Sequence, residues 1–278
     1  MTRTLPRHTP APGTDAPTAT YVFAVCRGCD PAALAATAGQ PGGGHLRLLP
    51  FGGLAAVVQD VPADGFGERA LPERLADPAR LEECARAHHA VVTAAAAVAP
   101  TLPLPLATLY LGDARAAAAL GGEEDRFRGA LERIADRVEW GVKLHALRTP
   151  GPVPATAPAA GREARPGHAY LERLRGARQE RERRQEAGVR AAETVDRALR
   201  AVAVACRRLR THDTSRHPEL GAQLLNAAYL VPRERQEELA ALVERLRGSD
   251  ACRGVEMRVT GPWVPYSFVE EEAPDAGR

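Results

Sequence analysis

Lysine is almost missing from this 278-residue chain: Lys143 is the only one, and nearly all the positive charge is arginine. Aromatic residues make up 4% of the chain, and serine occurs only as Ser215, Ser249 and Ser267. Each shortage excludes a class of chemistry. A single lysine, placed on a predicted strand, leaves no G-x-x-x-x-G-K-[ST] phosphate loop. None of the serines lies in a G-x-S-x-G elbow, which removes that class of serine hydrolase. The longest apolar run, Ala90 to Pro100, is about half of what a lipid bilayer demands. Residues 1–20 contain no apolar stretch of the kind a secretory signal needs. Five cysteines, Cys26, Cys29, Cys84, Cys206 and Cys252, form no short even framework, so free thiols in a reducing compartment are expected. A net charge of +2 and a pI near 8.4 are too mild to call for nucleic acid. The reading so far is a soluble intracellular protein that spans no lipid membrane.

What is present organises into two domains. Residues 1–19, with little apolar surface to offset ordering entropy, read as a disordered arm. Tyr21 to Cys26 is a short buried strand. Asp30 then caps a brief helix with Pro31 at its first position. Glycines 42–44 turn into Leu46–Leu49, and Leu54 to Val61 is a further strand. After a short helix over 68–76, a strong one runs from the Asp77-Pro78 cap to Val98. Leu102 to Leu111 is a strand confined to an edge or entry position by Pro103 and Pro105. This β-α-β-β-α-β order predicts a ferredoxin-like domain over 20–111.

The second domain, 112–278, is predicted as α+β, with a small sheet and a long helical arm. Asp113 caps a helix reaching Arg137. Val138, Trp140, Val142 and Leu144 then alternate with Glu139, Lys143 and His145, a half-buried strand. Residues 148–166, rich in proline, form a linker or loop. The spacing predicts a long helix or helical hairpin over 167–210, breaking at Gly176 or Gly188. Gln223–Val231 and residues 254–260 are parallel strands joined through a helix that carries Leu239, Leu242, Val243 and Leu246.

The candidates for chemistry are few. Cys26-Arg27-Gly28-Cys29 follows a strand and precedes a helix, where a helix N-terminus would lower a thiol pKa. The alternative is a buried strand end followed by a turn. No second CxxC completes a zinc set. His88 and His89 are adjacent on a helix and point apart, and His212, Asp213 and His217 share a polar loop. Asn226 reads as a buried amide bonded to backbone. Arg173 to Arg190 is interleaved with glutamates, the pattern of a salt-bridged helix face and not of a nucleic-acid site. No catalytic residue, cofactor or metal site is predicted.

Three segments, Val138-Glu139-Trp140-Gly141-Val142-Lys143, Leu225 to Val231, and Thr260-Gly261-Pro262-Trp263-Val264-Pro265-Tyr266-Ser267-Phe268, together resemble the GvpL/GvpF family of gas vesicle proteins. Tyr21–Val25 and Leu102-Pro103-Leu104 fit in order, so the resemblance spans residues 20 to 270. One segment departs. Family members tend to read L-P-x-R-F-G-T-x-F/Y, whereas this chain has Pro105, Leu106 and Ala107 in place of arginine, phenylalanine and glycine. The resemblance implies a non-enzymatic accessory or minor structural protein of gas vesicles, located with them in the cytoplasm. It also implies binding to the hydrophobic GvpA-like shell protein and to other gas vesicle accessory proteins, without a cofactor.

Such a partner needs an apolar surface or a free strand edge. Trp263, Tyr266 and Phe268 on the tail, with Leu106 and Tyr110 on the proline-flanked strand, are the candidate partner-binding residues. The tail aromatics have two readings, a clasp onto the chain's own C-terminal sheet or a dock for the shell protein. Two other functions stand as alternatives: a CxxC thiol oxidoreductase, and an arginine-rich nucleic-acid binder.

Overall fold

The computed structural model describes residues 18–67, 70–147, 166–210 and 220–269. The arm expected over 1–19 and the linker over 148–166 therefore lie almost wholly outside the described residues, as do His212, Asp213 and His217. Thr18 and Ala19 already belong to the first strand. The chain divides into two compact units, one ending at Arg133 and the other beginning at Ile134.

In the first unit, β1 (Thr18–Cys26), β2 (Arg47–Phe51), β3 (Leu54–Pro62) and β4 (Thr101–Tyr110) form an antiparallel sheet of order β2-β3-β1-β4. Between β1 and β2 lies only a single 3-10 turn, Pro31–Leu34, capped by the Asp30 carboxylate as the sequence predicts. Two short helices, α1 (Ala63–Phe66) and α2 (Ala70–Ala76), precede α3 (Pro78–Val98). Asp77 caps α3, accepting from the Ala79 and Arg80 amides. Its buried residues Cys84, His88, Val91, Val92 and Ala95 recur at helical spacing, which gives the helix one core-facing stripe.

The helix expected from Asp113 to Arg137 is two helices, α4 (Asp113–Gly121) and α5 (Glu124–Ile134), divided at a glycine pair. Gly112, not Asp113, occupies the cap position. The Asp113 carboxylate instead takes both Arg47 guanidinium nitrogens at 2.8 Å and the Thr20 hydroxyl at 3.0 Å. Glu124 accepts the Gly53 amide at 2.9 Å. These bonds tie α4 and α5 to the first sheet, so the expected boundary at Leu111 falls two helices before the observed division.

In the second unit, β5 (Arg137–Leu147), β6 (Ala205–Arg208), β7 (Leu220–Pro232) and β8 (Val255–Trp263) form an antiparallel sheet of order β6-β7-β5-β8. β7 and β8 share a direction but are not neighbours, because β5 lies between them. α6 (Pro166–Arg200) and α7 (Gln236–Arg247) cover one face of this sheet. Val142, Leu144, Tyr229 and Met257 pack there against Val195, Leu199, Leu239 and Val243. Each such side chain, fully buried, stabilises the fold by about 1.5–3 kcal/mol.

α6 corrects the expected 167–210 element in two ways. It runs unbroken through Gly176 and Gly188, so there is no hairpin. It also stops at Arg200. Val202 still packs in the core, but Cys206 belongs to β6, an edge strand. Gly188 is not a break; a Cβ there would meet Leu224 Cδ1 at 2.9 Å, so glycine lets helix and strand approach closely. Among the described residues no helix is long and apolar enough to cross a membrane.

Candidate functional site

The candidate partner-binding residues fall on or just beyond two edge strands, one in each unit: Leu106 and Tyr110 on β4, Trp263 at the end of β8, and Tyr266 and Phe268 in the 3-10 turn after it. β4 pairs only with β1, and its register breaks between Val22↔Thr108 and Ala24↔Pro103. One β1 residue there faces four residues of β4, Leu104 to Ala107, which bulge from the ladder. Ala107 has φ +65°, a left-handed conformation that favours glycine. Glycine at this position would carry no strain. The Ala107 amide donates to Tyr21 Oη at 2.9 Å, and the same hydroxyl shares a hydrogen bond with His88 Nδ1 at 3.0 Å. Thr108 Oγ1 closes the bulge onto the Pro105 carbonyl at 2.8 Å.

Burial pushes the Tyr21 phenol up to about 12 and lowers His88 to about 4, so both groups are neutral near pH 7. Leu106 and Tyr110 are half-buried on this edge. Burial, and then the nearby Glu123 charge, raise the Tyr110 phenol.

The tail leaves β8 by a comparable device. Between Glu139↔Trp263 and Gly141↔Thr260, one β5 residue faces Gly261 and Pro262. Gly261 has φ +130°, and a Cβ there would meet the Glu139 carbonyl oxygen at 2.7 Å. Only glycine fits both the dihedral and the space. Beyond this point, Glu139 accepts the Ser267 amide and the Ser267 hydroxyl, each at 2.7 Å. Burial pushes the Glu139 carboxyl up; the two Ser267 bonds and the Arg207 charge pull it back only in part.

Val264 and Pro265 are buried, Phe268 is half-buried, and Trp263 and Tyr266 are 44% and 36% exposed. The tail is therefore fastened by its aliphatic residues and Ser267, while two of its three aromatics reach solvent. Sequence reasoning missed the Glu139–Ser267 bond. The alternation of β5, which placed Glu139 on the face opposite Trp140 and Val142, was the only available signal.

The remaining candidates have structural roles. Cys26 is buried at the end of β1 and Cys29 in the turn beyond it. Burial pushes the Cys26 thiol up to about 12 and Cys29 upward as well. The expected pKa-lowering helix is only a four-residue 3-10 turn, so the oxidoreductase alternative loses its physical premise. The glycine run packs on the Gln59 amide, which a Cβ at Gly43 would strike at 2.4 Å. Asn226 donates to the Arg210 carbonyl at 2.6 Å, as a buried amide bonded to backbone should. Among the described residues no cluster of three or more His, Cys, Asp or Glu could hold a metal ion.

One network had no sequence signal. Asp196 on α6 accepts from Tyr229 Oη at 2.6 Å, Arg208 at 3.0 Å and Arg200 at 3.1 Å. Burial pushes its carboxyl up, but these three bonds outweigh that and hold it below the usual range. The bonds fasten the C-terminal end of α6 to β6 and β7.

Comparison with known proteins agrees with this arrangement. The family model described as "Gas vesicle synthesis protein GvpL/GvpF" matches residues 19–270. Gas vesicle protein L of Streptomyces sp. (strain CB03234) is 38% identical over 93% of this chain and 97% of its own. Gas vesicle protein F of the same organism is 29% identical over 90% and 99%. In fold, the chain is similar to the crystal structure of GvpF from Anabaena sp. PCC7120, with a TM-score of 0.64 at 14% identity, covering 91% of this chain and 97% of that one. GvpF from Microcystis aeruginosa gives a TM-score of 0.60 at 15% identity, covering 91% and 99%.

Proposed function

This chain belongs to the GvpL/GvpF family of gas vesicle synthesis proteins, and from that premise we propose that it serves gas vesicle assembly as a non-enzymatic accessory or minor structural protein. It binds the hydrophobic GvpA-like shell protein and other gas vesicle accessory proteins, in the cytoplasm and at the vesicle. The observation that carries this reading is the tail. A buried carboxylate on a central strand holds Ser267 while Trp263 and Tyr266 stay exposed. Exposed aromatics on a fixed backbone cost little entropy to dock, which is how interface anchors work. Leu106 and Tyr110, on the bulged edge of the first sheet, supply a second apolar contact or a site for strand addition.

The finer description of the fold belongs to the same proposal. The order β2-β3-β1-β4 and its antiparallel pairing support a ferredoxin-like N-terminal unit, with its first helix reduced to one 3-10 turn. Purified chain mixed with the GvpA-like shell protein tests the function. Wild type should retain the shell protein on a column, and Trp263→Ala/Tyr266→Ala should retain at least tenfold less. Cys26→Ser/Cys29→Ser should behave as wild type. Failure of the intact chain to retain the shell protein would sink the partner assignment.

A further inference from the structure

β8 has one paired edge and one open edge: among the described residues only β5 bonds to it. The register shows which residues face outward. The Leu147 amide donates to the Gly254 carbonyl at 2.9 Å, and Glu256 and Arg258 stand opposite His145 and Lys143 in the same register. Bonded positions alternate along an antiparallel ladder, so Gly254, Glu256 and Arg258 turn their backbone groups toward β5. The N–H and C=O of Val255, Met257 and Val259 therefore point away from the sheet. Arg247 on α7 donates to that outward Met257 carbonyl at 3.3 Å. The side chains sort by face. Met257 is buried in the core beneath the helices, and half-buried Val255 and Val259 pack against the same cluster. Glu256 and Arg258 lie on the opposite face, paired at 2.8 Å with side chains 37% and 39% exposed.

We propose that this edge pairs with the same edge of a second copy, antiparallel about a two-fold axis at Met257. The occupant is a second copy because Val255-Glu256-Met257-Arg258-Val259 complements itself. Around that axis Val255 meets the partner's Val259 and Met257 meets the partner's Met257, each a pair that exchanges two backbone bonds. Glu256 then stands opposite the partner's Arg258, in the alternate type of pair whose side chains come closer. Charge fixes the register. Only the odd-numbered residues offer outward groups, so the nearest other axes fall at Glu256 and at Arg258. Those would set glutamate directly on glutamate or arginine directly on arginine. An axis perpendicular to the sheet also keeps the helices of both copies on one face, so the valines and Met257 continue a single apolar layer. Arg247 is held by Glu244 at 2.7 Å and covers one carbonyl of the edge. It does not close the edge, because a carbonyl oxygen has two lone pairs. A paired segment this short gives a weak, reversible dimer. The inference holds whatever the shell partner is, since the tail aromatics lie beyond the bulge at Gly261, outside the paired segment.

Sedimentation velocity of the full chain, from micromolar to millimolar concentration, is the test. Wild type should pass reversibly from monomer to dimer and go no further. Glu256→Arg and Arg258→Glu should each weaken the dimer at least tenfold, with circular dichroism unchanged. Mixed together, these two variants should dimerise with each other as wild type does, because arginine then meets glutamate at every charged pair. The double exchange Glu256→Arg/Arg258→Glu should recover self-association for the same reason. Arg247→Ala, which uncovers the Met257 carbonyl, should tighten the dimer. Trp263→Ala/Tyr266→Ala should leave it unchanged, which separates this edge from the tail. A monomer at every concentration, a dimer indifferent to the single reversals, or no recovery in the mixed and doubly exchanged variants would overturn the proposal. So would a dimer that is lost with the tail aromatics.

Discussion

In each unit the fourth strand lies at the sheet edge beside the first strand and bulges where a proline-bearing segment meets it, but the two bulges are fastened by different chemistry. The orders β2-β3-β1-β4 and β6-β7-β5-β8 are the same permutation. In the first unit the bulge hangs on a neutral phenol, and the candidates Leu106 and Tyr110 stay half-buried. In the second it passes through a glycine that only glycine can occupy and is then held by a buried carboxylate, which leaves Trp263 and Tyr266 in solvent. One edge is a tolerant structural device; the other presents side chains outward. Under the proposed function, the tail is then expected to carry the larger share of partner contact.

The largest expected effect breaks the second device. Gly261→Ala forces a Cβ to within 2.7 Å of a backbone oxygen at φ +130°, and should cost about 3 kcal/mol in chemical denaturation. A cost under about 1 kcal/mol would mean that the tail does not need this path.

The pH response should separate the units, because the two buried groups shift against each other. His88 is held neutral, with its pKa lowered from 6.5 to about 4. The unfolded chain therefore binds more protons between those values, and the His88 contribution is lost as pH falls from 6.5 toward 4, by up to about 3 kcal/mol. Glu139 is raised from 4.5, so its contribution is full below that value and is lost as pH rises through the shifted one. Unfolding free energy of wild type minus His88→Gln should rise with pH across the window from 4 to 6.5. Wild type minus Glu139→Gln should fall with rising pH. Slopes of the same sign would contradict the assignment.

Two smaller changes sharpen the first device. Tyr21→Phe leaves the Ala107 amide and His88 Nδ1 without their bonds and should destabilise by about 1–2 kcal/mol. Ala107→Gly should act in the other direction, stabilising by about 1 kcal/mol because it removes a left-handed alanine. A destabilising result would show that some contact of the Ala107 methyl outweighs its strain.

Much of this plan was legible in the sequence because it is local. Alternation marked β5, the Asp30 and Asp77 caps opened their turn and helix, and the prolines of β4 pointed to an edge. The bulges were not legible. Tyr21 and Ala107 lie 86 residues apart, and Glu139 and Ser267 lie 128 apart. No local pattern announces such a bond. The end of α6 was misread because Val202, Cys206 and Leu209 keep a helical interval, while pairing of Cys206 with Tyr229 across the β6–β7 ladder overrides it. Which of the five candidate residues reach solvent was not legible, since that depends on Val264 and Pro265 taking the buried positions and on Ser267 bonding to Glu139.

The most direct test measures the affinity of the full chain for the GvpA-like shell protein, comparing Trp263→Ala/Tyr266→Ala with Leu106→Ser/Tyr110→Ala by calorimetry at one salt concentration. The account predicts at least a tenfold loss for the tail pair and a smaller loss for the β4 pair. Unchanged affinity for the tail pair, or a greater loss for the β4 pair, would contradict it.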